Sequence, residues 1–424
     1  MTTSTLPMAT LSESGPIESN LTAQELAVAT ALMANLPPLL VGRPGTGKST
    51  FMAALVQALQ YRGHTWILTQ MDPTVIGGLP YKTTVEMFGQ MREVVKRAPH
   101  ISFVATALDT ENTYVHGFDE FSNATPAQRS AFLDLVTRRY AGDLPLPEST
   151  RFWAGMNPAN CAVVYHPLQC PTATRWVWID WEPAYNRESW RRGMLEGWPE
   201  PKVPRLSENW QDLIPMSRAM LVGFEKRDPT VFHEGFVLTE DGLHCPEPAK
   251  LVDCPTSNGR TLEMAAVAYA ATLGLAGSGL AEADIEAVRS LLIKGILGEA
   301  TGRALVEYFD VANEIPSPEE ILADPTGYDV QGLRPDLQFL MISSVGAYVR
   351  GLVVNKRDSS ADAWARALRF VQHVDSQGAG DLAMVCASLF IAKAVGIPTG
   401  AKAPKGTLAV LLPVLNELKS IAAK

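Results

Sequence analysis

One glycine-rich loop constrains the fold of this chain more than any other feature. Residues 42–49 read Gly-Arg-Pro-Gly-Thr-Gly-Lys-Ser, which is a glycine, four residues, and then Gly-Lys-Ser. The apolar segment 37–41 before the loop predicts a short buried strand, and the periodicity of 50–59 after it predicts a helix. A phosphate-binding loop needs this strand and this helix. The loop therefore predicts a nucleotide-binding α/β fold.

The chemistry of the loop explains its composition. Glycines allow the backbone to turn tightly and to aim several N–H groups at one point, where the helix N-terminus adds partial positive charge. Lys48 is expected to reach the β- and γ-phosphates, and the Ser49 hydroxyl to hold Mg²⁺. The alternative is a glycine-rich turn that binds no ligand. This alternative is disfavoured because the spacing of the motif and the flanking strand and helix agree with a phosphate-binding loop. We expect the nucleotide to lie against Gly42, Pro44, Gly45, Thr46, Gly47, Lys48, Ser49 and Thr50.

Strand and helix patterns alternate along the first half of the chain, which predicts a parallel sheet covered by helices. After the strand at 37–41, four more are predicted, over 65–69, 112–118, 150–156 and 176–180. Beyond residue 198 the patterns are helical, and we expect an all-helical region there. The predicted helices cover 210–224, 261–275, 282–297, 301–309, 335–354, 360–374, 380–395 and 407–421.

Polar residues follow two of the predicted strands. Asp119 and Glu120 end the strand at 112–118, and Asn157 ends the strand at 150–156. Ligands of open parallel sheets bind beyond the carboxyl ends of the strands. We therefore assign Asp119 to Mg²⁺, Glu120 to the attacking water, and Asn157 to that water or the γ-phosphate. Each also has a plain structural interpretation, an acidic surface turn and an Asn-Pro turn.

Two arginines are further candidates. Arg175 precedes the strand at 176–180 and could complete the site of a neighbouring subunit, a role for which Arg138 and Arg139 compete. Arg260 begins a predicted helix, where a cation is unfavourable unless an anion is bound. An exposed or salt-bridged arginine is the alternative in each case.

Composition limits the partners and the compartment. The net charge of −9 makes the surface as a whole a poor match for the nucleic-acid backbone. The sequence contains no apolar run of the length that a membrane-spanning helix needs. Five cysteines are an odd number, which favours a reducing cytoplasm over a disulfide framework. The first 20 residues are expected to form a flexible tail.

The order of these motifs resembles that of AAA+ ATPases, and finer detail resembles the MoxR branch, which carries a helix-2 insert. The likeness covers roughly residues 25 to 310. The segments that resemble the branch are 69–73 with 78–80, Ala-Gly-Met-Asn-Pro at 154–158, Ala-Thr-Arg-Trp at 173–176, Pro-Thr-Ser-Asn-Gly-Arg-Thr at 255–261, and Gly-Ile-Leu-Gly at 295–298 with Phe309.

The resemblance implies a five-stranded α/β domain, a helical insertion near Asp72 to Gln90 and a helical lid. It also implies a ring, usually a hexamer, in which ATP is hydrolysed between subunits with Mg²⁺. Lys48 and Glu120 would come from one subunit and Arg175 from the next, with Arg260 on the lid. Members remodel proteins, often beside a von Willebrand factor A domain partner. The expected divisions are 1–20 tail, 21–199 nucleotide-binding domain, 200–310 lid and 311–424 C-terminal helices.

Two other functions stay open at this stage. His116 and Gly117 interrupt an otherwise apolar strand, which would suit a nucleotide-gated scaffold with little turnover. Tryptophans and arginines alternate over 176–198, which would suit an NTPase motor acting on DNA.

Overall fold

The computed structural model describes residues 19–161, 165–181, 187–239, 242–244, 251–312, 315–391 and 395–407. Residues 1–18 of the expected tail and nearly all of the last predicted helix lie outside this range. The chain forms two compact units. The sheet unit contains the described residues within Leu11–Ser207 and His233–Arg303, and the helical unit contains Glu208–Phe232 and the described residues from Ala304 onward.

The sheet unit is built on five parallel strands in the order β2-β5-β8-β1-β9. This is the sheet expected of the AAA+ fold, and the predicted fold class is confirmed. The strands in chain order are β1 (Pro38–Val41), β2 (Arg62–Ile67), β3 (Leu79–Met87), β4 (Gln90–Ala98), β5 (Tyr114–Asp119), β6 (Tyr140–Ala141), β7 (Leu144–Pro145), β8 (Arg151–Met156), β9 (Val177–Asp180), β10 (Val237–Thr239) and β11 (Gly242–His244).

Helices cover this sheet, and several begin at the capping residues that the sequence predicts. Thr22 and Thr125 each form a reciprocal capping box, with Glu25 and Gln128 respectively. The helices up to residue 297 are α1 (Ala23–Met33), α2 (Lys48–Ala58), α3 (Pro73–Gly77), α4 (Ile101–Leu108), α5 (Pro126–Arg138), α6 (Cys170–Ala173), α7 (Arg187–Glu196), α8 (Ile214–Arg227), α9 (Gly259–Leu273) and α10 (Glu282–Leu297). Except for α8, all belong to the sheet unit.

The expected helical insertion near Asp72 to Gln90 is wrong. After the five-residue helix α3, the chain forms a long antiparallel hairpin of β3 and β4, in which Met87 pairs with Gln90. The strands carry β-branched residues that favour extended backbone. Phe88 and Gly89 form the turn with φ of 54° and 74°, as a two-residue hairpin loop requires. Phenylalanine is rare in such a turn, so no clear hairpin signal is present in the sequence.

The helical unit packs around one apolar cluster that includes Trp364, Phe370 and Phe390. Its helices after α8 are α12 (Pro318–Ala323), α13 (Pro335–Val354), α14 (Ser360–Ser376) and α15 (Gly380–Ile391); α11 (Glu299–Ala312) spans the division between the units. Within the described residues, α13 alone is long and apolar enough to cross a membrane by length and composition, and 67% of its apolar window is buried inside the protein.

The segment 200–310 differs from the all-helical expectation in two respects. It contains the short hairpin of β10 and β11, and it is divided between the two compact units. Helices α9 and α10 pack against each other and against α1, and α10 also contacts β9. Movement of this segment as a lid stays a prediction.

Candidate nucleotide-binding site

The glycine-rich loop lies at the carboxyl end of strand β1, which pairs with β8 on one side and with the edge strand β9 on the other. Gly45 and Gly47 have φ of 77° and 81°, which side chains rarely allow. Lys48 is only 7% exposed, and its Nζ donates to the carbonyls of Gly42 and Arg43 at 2.7 and 2.9 Å. The lysine is thus folded back over its own loop, at the point where phosphates are expected.

Ser49 and Asp119 meet although they are 70 residues apart. The Ser49 hydroxyl donates a hydrogen bond to Asp119 Oδ2, and the Glu120 backbone N–H donates to Oδ1 at 2.8 Å. A hydroxyl beside a carboxylate is an oxygen donor set that suits Mg²⁺, which takes one or two carboxylates and completes its shell with phosphates and waters. Among the described residues, no group of three or more His, Cys, Asp and Glu could hold a metal ion.

Gly155 is a site residue that the sequence interpretation missed. It lies on β8, and a Cβ atom there would come within 2.7 Å of Asp119 Oδ1. Only glycine leaves room for the carboxylate in its present place. A glycine inside a strand pattern signals such a close approach, so the clue was available.

Glu120 leaves the strand in a left-handed conformation with φ of 58°. Its Oε2 accepts a 2.6 Å hydrogen bond from the Thr69 hydroxyl, which follows β2. The carboxylate is therefore held at the edge of the site by a neighbouring strand connection. Thr69 is the second residue that was missed as a site residue, because no local pattern distinguishes it.

Asn157 follows β8 and contacts the loop directly. Its Oδ1 accepts a hydrogen bond from Lys48 Nζ at 3.2 Å. The structure therefore brings together Lys48, Ser49, Asp119, Glu120 and Asn157, while their individual roles stay predictions.

Arg175 has a different environment. Its Nε donates to the Thr137 hydroxyl of α5 at 2.8 Å, and its Nη1 is buried without a hydrogen-bond partner. Burial, and in second place the charge of Arg260, lowers the pKa of the Arg175 guanidinium. Arg175 also lines a cavity of about 600 Å³ with Asp134 and Arg138. The charge of Arg260, the other predicted site arginine, is thus felt at Arg175.

The competing arginines have partners within their own region. Arg138 forms an ion pair with Asp134 one helical turn earlier. Arg139 donates to the Thr150 carbonyl at 2.5 Å, and burial lowers the pKa of its guanidinium. Arg260 is exposed near the start of α9, whose N-terminal N–H groups are capped by Asn258.

His116 and Gly117 have a packing explanation. A Cβ atom at Gly117 would lie 2.2 Å from the ring of Trp153, so the glycine makes room for a buried tryptophan. The His116 Nε2 bonds to the Thr106 hydroxyl at 2.9 Å, and its ring packs 4.7 Å from that of Phe103. Packing therefore accounts for both residues without a nucleotide-gated scaffold.

Of the five tryptophans between residues 176 and 198, two are buried in the core, Trp178 is partly buried against it, and two are exposed. Trp176 and Trp181 are 1% and 2% exposed, whereas Trp190 and Trp198 are 43% and 61% exposed. Bases need accessible rings for stacking. The stretch 176–198 therefore gives little support to a DNA-bound motor.

Comparisons with known proteins add little. No protein-family model matches the chain. No curated protein matches it either. A solved structure of a candidate ATPase from Cytophaga hutchinsonii is 16% identical with a TM-score of 0.39, over 68% of this chain and 88% of that one. A full-length MCM homolog from Methanopyrus kandleri is 13% identical with a TM-score of 0.33, over 68% of this chain and 54% of that one. Likenesses this distant bear on neither activity nor branch.

Proposed function

We propose that the chain is an oligomeric ATPase of the AAA+ class, which couples ATP binding and hydrolysis to remodelling or assembly of a protein partner. The observation that carries the proposal is the convergence of two other strand ends, those of β5 and β8, on the loop that follows β1. The Ser49 hydroxyl donates a hydrogen bond to Asp119 at the end of β5, and Lys48 donates one to Asn157 after β8. A glycine-rich turn without a ligand has no need for these contacts.

The residues have consistent parts in hydrolysis. Loop N–H groups and Lys48 bind the phosphates, and Lys48 exchanges its carbonyl contacts for them. Mg²⁺, held by Ser49 and Asp119, would neutralise phosphate charge. Glu120 leaves Thr69 to polarise the attacking water, and Asn157 orients that water or the γ-phosphate.

A second copy would complete the site. The Nη1 of Arg175 is buried without a hydrogen-bond partner, and the charge of Arg260 contributes to the lowered pKa of the Arg175 guanidinium. Asp134, a carboxylate in the cavity that Arg175 lines, is already paired with Arg138. Like charges side by side are unfavourable unless an anion joins them. The γ-phosphate held by an adjoining copy is such an anion, which supports a homo-oligomeric ring, with a hexamer as the expected size.

The finer assignment rests on the sequence resemblance alone. It suggests the MoxR branch and a protein client beside a von Willebrand factor A domain protein. The cytoplasmic location rests instead on the odd number of cysteines. The scaffold alternative depended on His116 and Gly117, which packing explains.

Comparison of the wild type with Glu120→Gln tests the hydrolytic role. We expect turnover with Mg²⁺ and ATP to fall by roughly 10²-fold or more, since general-base catalysis contributes about that much. Nucleotide binding should remain, because Lys48 and Ser49 are unchanged. Equal turnover in both proteins would reject Glu120 as the catalytic carboxylate. Negligible turnover in the wild type would reject the proposal that the protein is an ATPase.

A further inference from the structure

Trp181 is a large buried side chain beside the phosphate-binding loop that the mechanism above does not use. It is 2% exposed and directly follows β9. Its backbone N–H donates to the Val41 carbonyl at 2.8 Å, one step beyond the pairing of Val41 with Asp180. Because Val41 is the residue before the loop, this ladder fixes Trp181 at the entrance of the loop.

The side chain of Trp181 reaches the middle of the loop. Its indole Nε1 donates to the Thr46 carbonyl at 3.0 Å in a fully buried hydrogen bond. The indole ring lies 5.0 Å from the ring of Phe51, at an angle of 41°. Contacts with both the loop and α2 therefore hold the indole in place.

This bond determines the direction of a loop N–H group. In a planar trans peptide the carbonyl and the N–H point in opposite directions. A Thr46 carbonyl turned toward Trp181 therefore turns the N–H of Gly47 away from Trp181. A donor is needed because the flanking Gly45 and Gly47 lack side chains that restrict rotation, and a Cβ at either would meet no atom within 4 Å.

The loop carbonyls of Gly42 and Arg43 are held by different donors. Lys48 Nζ donates to Gly42 and Arg43, and this amine must turn to the phosphates when nucleotide binds. The Thr46 hydroxyl donates to the Arg43 carbonyl at 2.8 Å. The bond from Trp181 involves no group that the nucleotide recruits, so the same contact serves the empty and the occupied loop.

We propose that Trp181 is a positioning residue of the phosphate site, which keeps the Thr46–Gly47 peptide unit oriented for a phosphate oxygen through its indole N–H. This inference rests on the proposed function, because it requires a nucleotide phosphate as the ligand. It adds a residue outside the glycine-rich motif that sets the affinity of the loop.

The variant Trp181→Phe tests the inference, since it removes the donor and retains a ring beside Phe51. Trp178→Phe is a matched control, because the Trp178 indole also donates to a backbone carbonyl at 3.0 Å, that of Ala173, away from the loop. ATP affinity is measured by titration calorimetry with Mg²⁺ in a Glu120→Gln background, so that nucleotide is not consumed. Thermal unfolding of each variant is measured without nucleotide.

We expect Trp181→Phe to weaken ATP binding by roughly three- to tenfold, the equivalent of one hydrogen bond, while Trp178→Phe stays within about twofold of the parent protein. Both variants should lose similar thermal stability, so stability alone cannot produce the difference. In the hydrolytic background, KM for ATP should rise and kcat should change little, since the bond is present before and during the reaction.

Equal ATP affinity in Trp181→Phe and Trp178→Phe would overturn the inference and leave the ATPase proposal intact. Phe51→Leu separates hydrogen bonding from packing, because it removes the ring contact and keeps the indole donor. Loss of affinity in Phe51→Leu as large as in Trp181→Phe would also overturn the inference. Absence of any ATP binding by the parent protein would instead remove the proposed function, and this inference with it.

Discussion

Gly155 lies so close to Asp119 that a single added carbon would come within 2.7 Å of the Asp119 Oδ1 atom. The two residues belong to neighbouring strands, β8 and β5, which pair at Phe118 and Ala154. The carboxylate that is expected to orient Mg²⁺ therefore occupies its place only because the next strand carries no side chain there.

Gly155→Ala should displace the Asp119 carboxylate. We expect weaker Mg²⁺-dependent ATP binding and a loss of roughly 1–3 kcal/mol in the free energy of unfolding, which is typical of overpacking. Gly63→Ala on β2 is the control, since its Cβ would meet Val56 at 2.9 Å and no site residue. Binding assays and chemical denaturation should show similar destabilisation in both variants but weaker binding in Gly155→Ala only. Equal ATP affinity in both variants would contradict the placement of Asp119.

His116 should make stability depend on acid. Burial, and in second place the charge of His64, lowers the pKa of His116 to about 3, below its ordinary 6.5. The unfolded chain therefore binds a proton at this histidine more readily than the folded chain. The free energy of unfolding is not reduced by His116 above pH 6.5, and it falls as the pH decreases from 6.5 to about 3.

His116→Leu should make this acid dependence shallower. The wild type should lose stability more steeply than the variant below pH 6.5, with a difference in slope of about 1 kcal/mol per pH unit. Thr106 keeps a partner in the variant, because its hydroxyl also bonds to the Ser102 carbonyl. Urea denaturation at several pH values measures the slopes. Parallel curves for the two proteins would show that the histidine is not held neutral by burial.

Arg175 should act on the nucleotide of an adjoining copy. Lys48→Ala and Arg175→Ala should each abolish most turnover, but a mixture of the two should regain activity. In randomly mixed rings about a quarter of the sites combine an intact Lys48 with an intact Arg175. Arg139→Gln serves as a control for Arg175, because Arg139 supports the Thr150 carbonyl within its own subunit. Activity in the mixture no higher than in either variant alone would contradict a shared site.

Much of the sheet unit follows from local sequence rules. Thr125, Pro126 and Gln128 determine where α5 begins through capping geometry that is local to the chain. The glycine-rich loop specifies its own strand and helix, and the strand ends Asp119 and Asn157 follow from apolar runs. These features need no knowledge of distant contacts.

Other features depend on contacts between distant segments. The bond from Thr69 to Glu120 joins residues 51 apart, and the bond from Trp181 to Thr46 joins residues 135 apart. The β3–β4 hairpin depends on a turn at Phe88 and Gly89 whose sequence is atypical. Periodicity gave no clear prediction in this segment, and the helical insertion that the family resemblance implied there was wrong.

Equilibrium binding of ATP with Mg²⁺ to the wild type and to Lys48→Ala tests the central claim most directly. The lysine contributes a charge-assisted contact to the phosphates, so its loss should weaken binding by roughly ten- to a hundredfold. The account predicts saturable binding by the wild type, with a strong reduction in the variant. Absence of binding by the wild type, or equal affinity in both proteins, would contradict it.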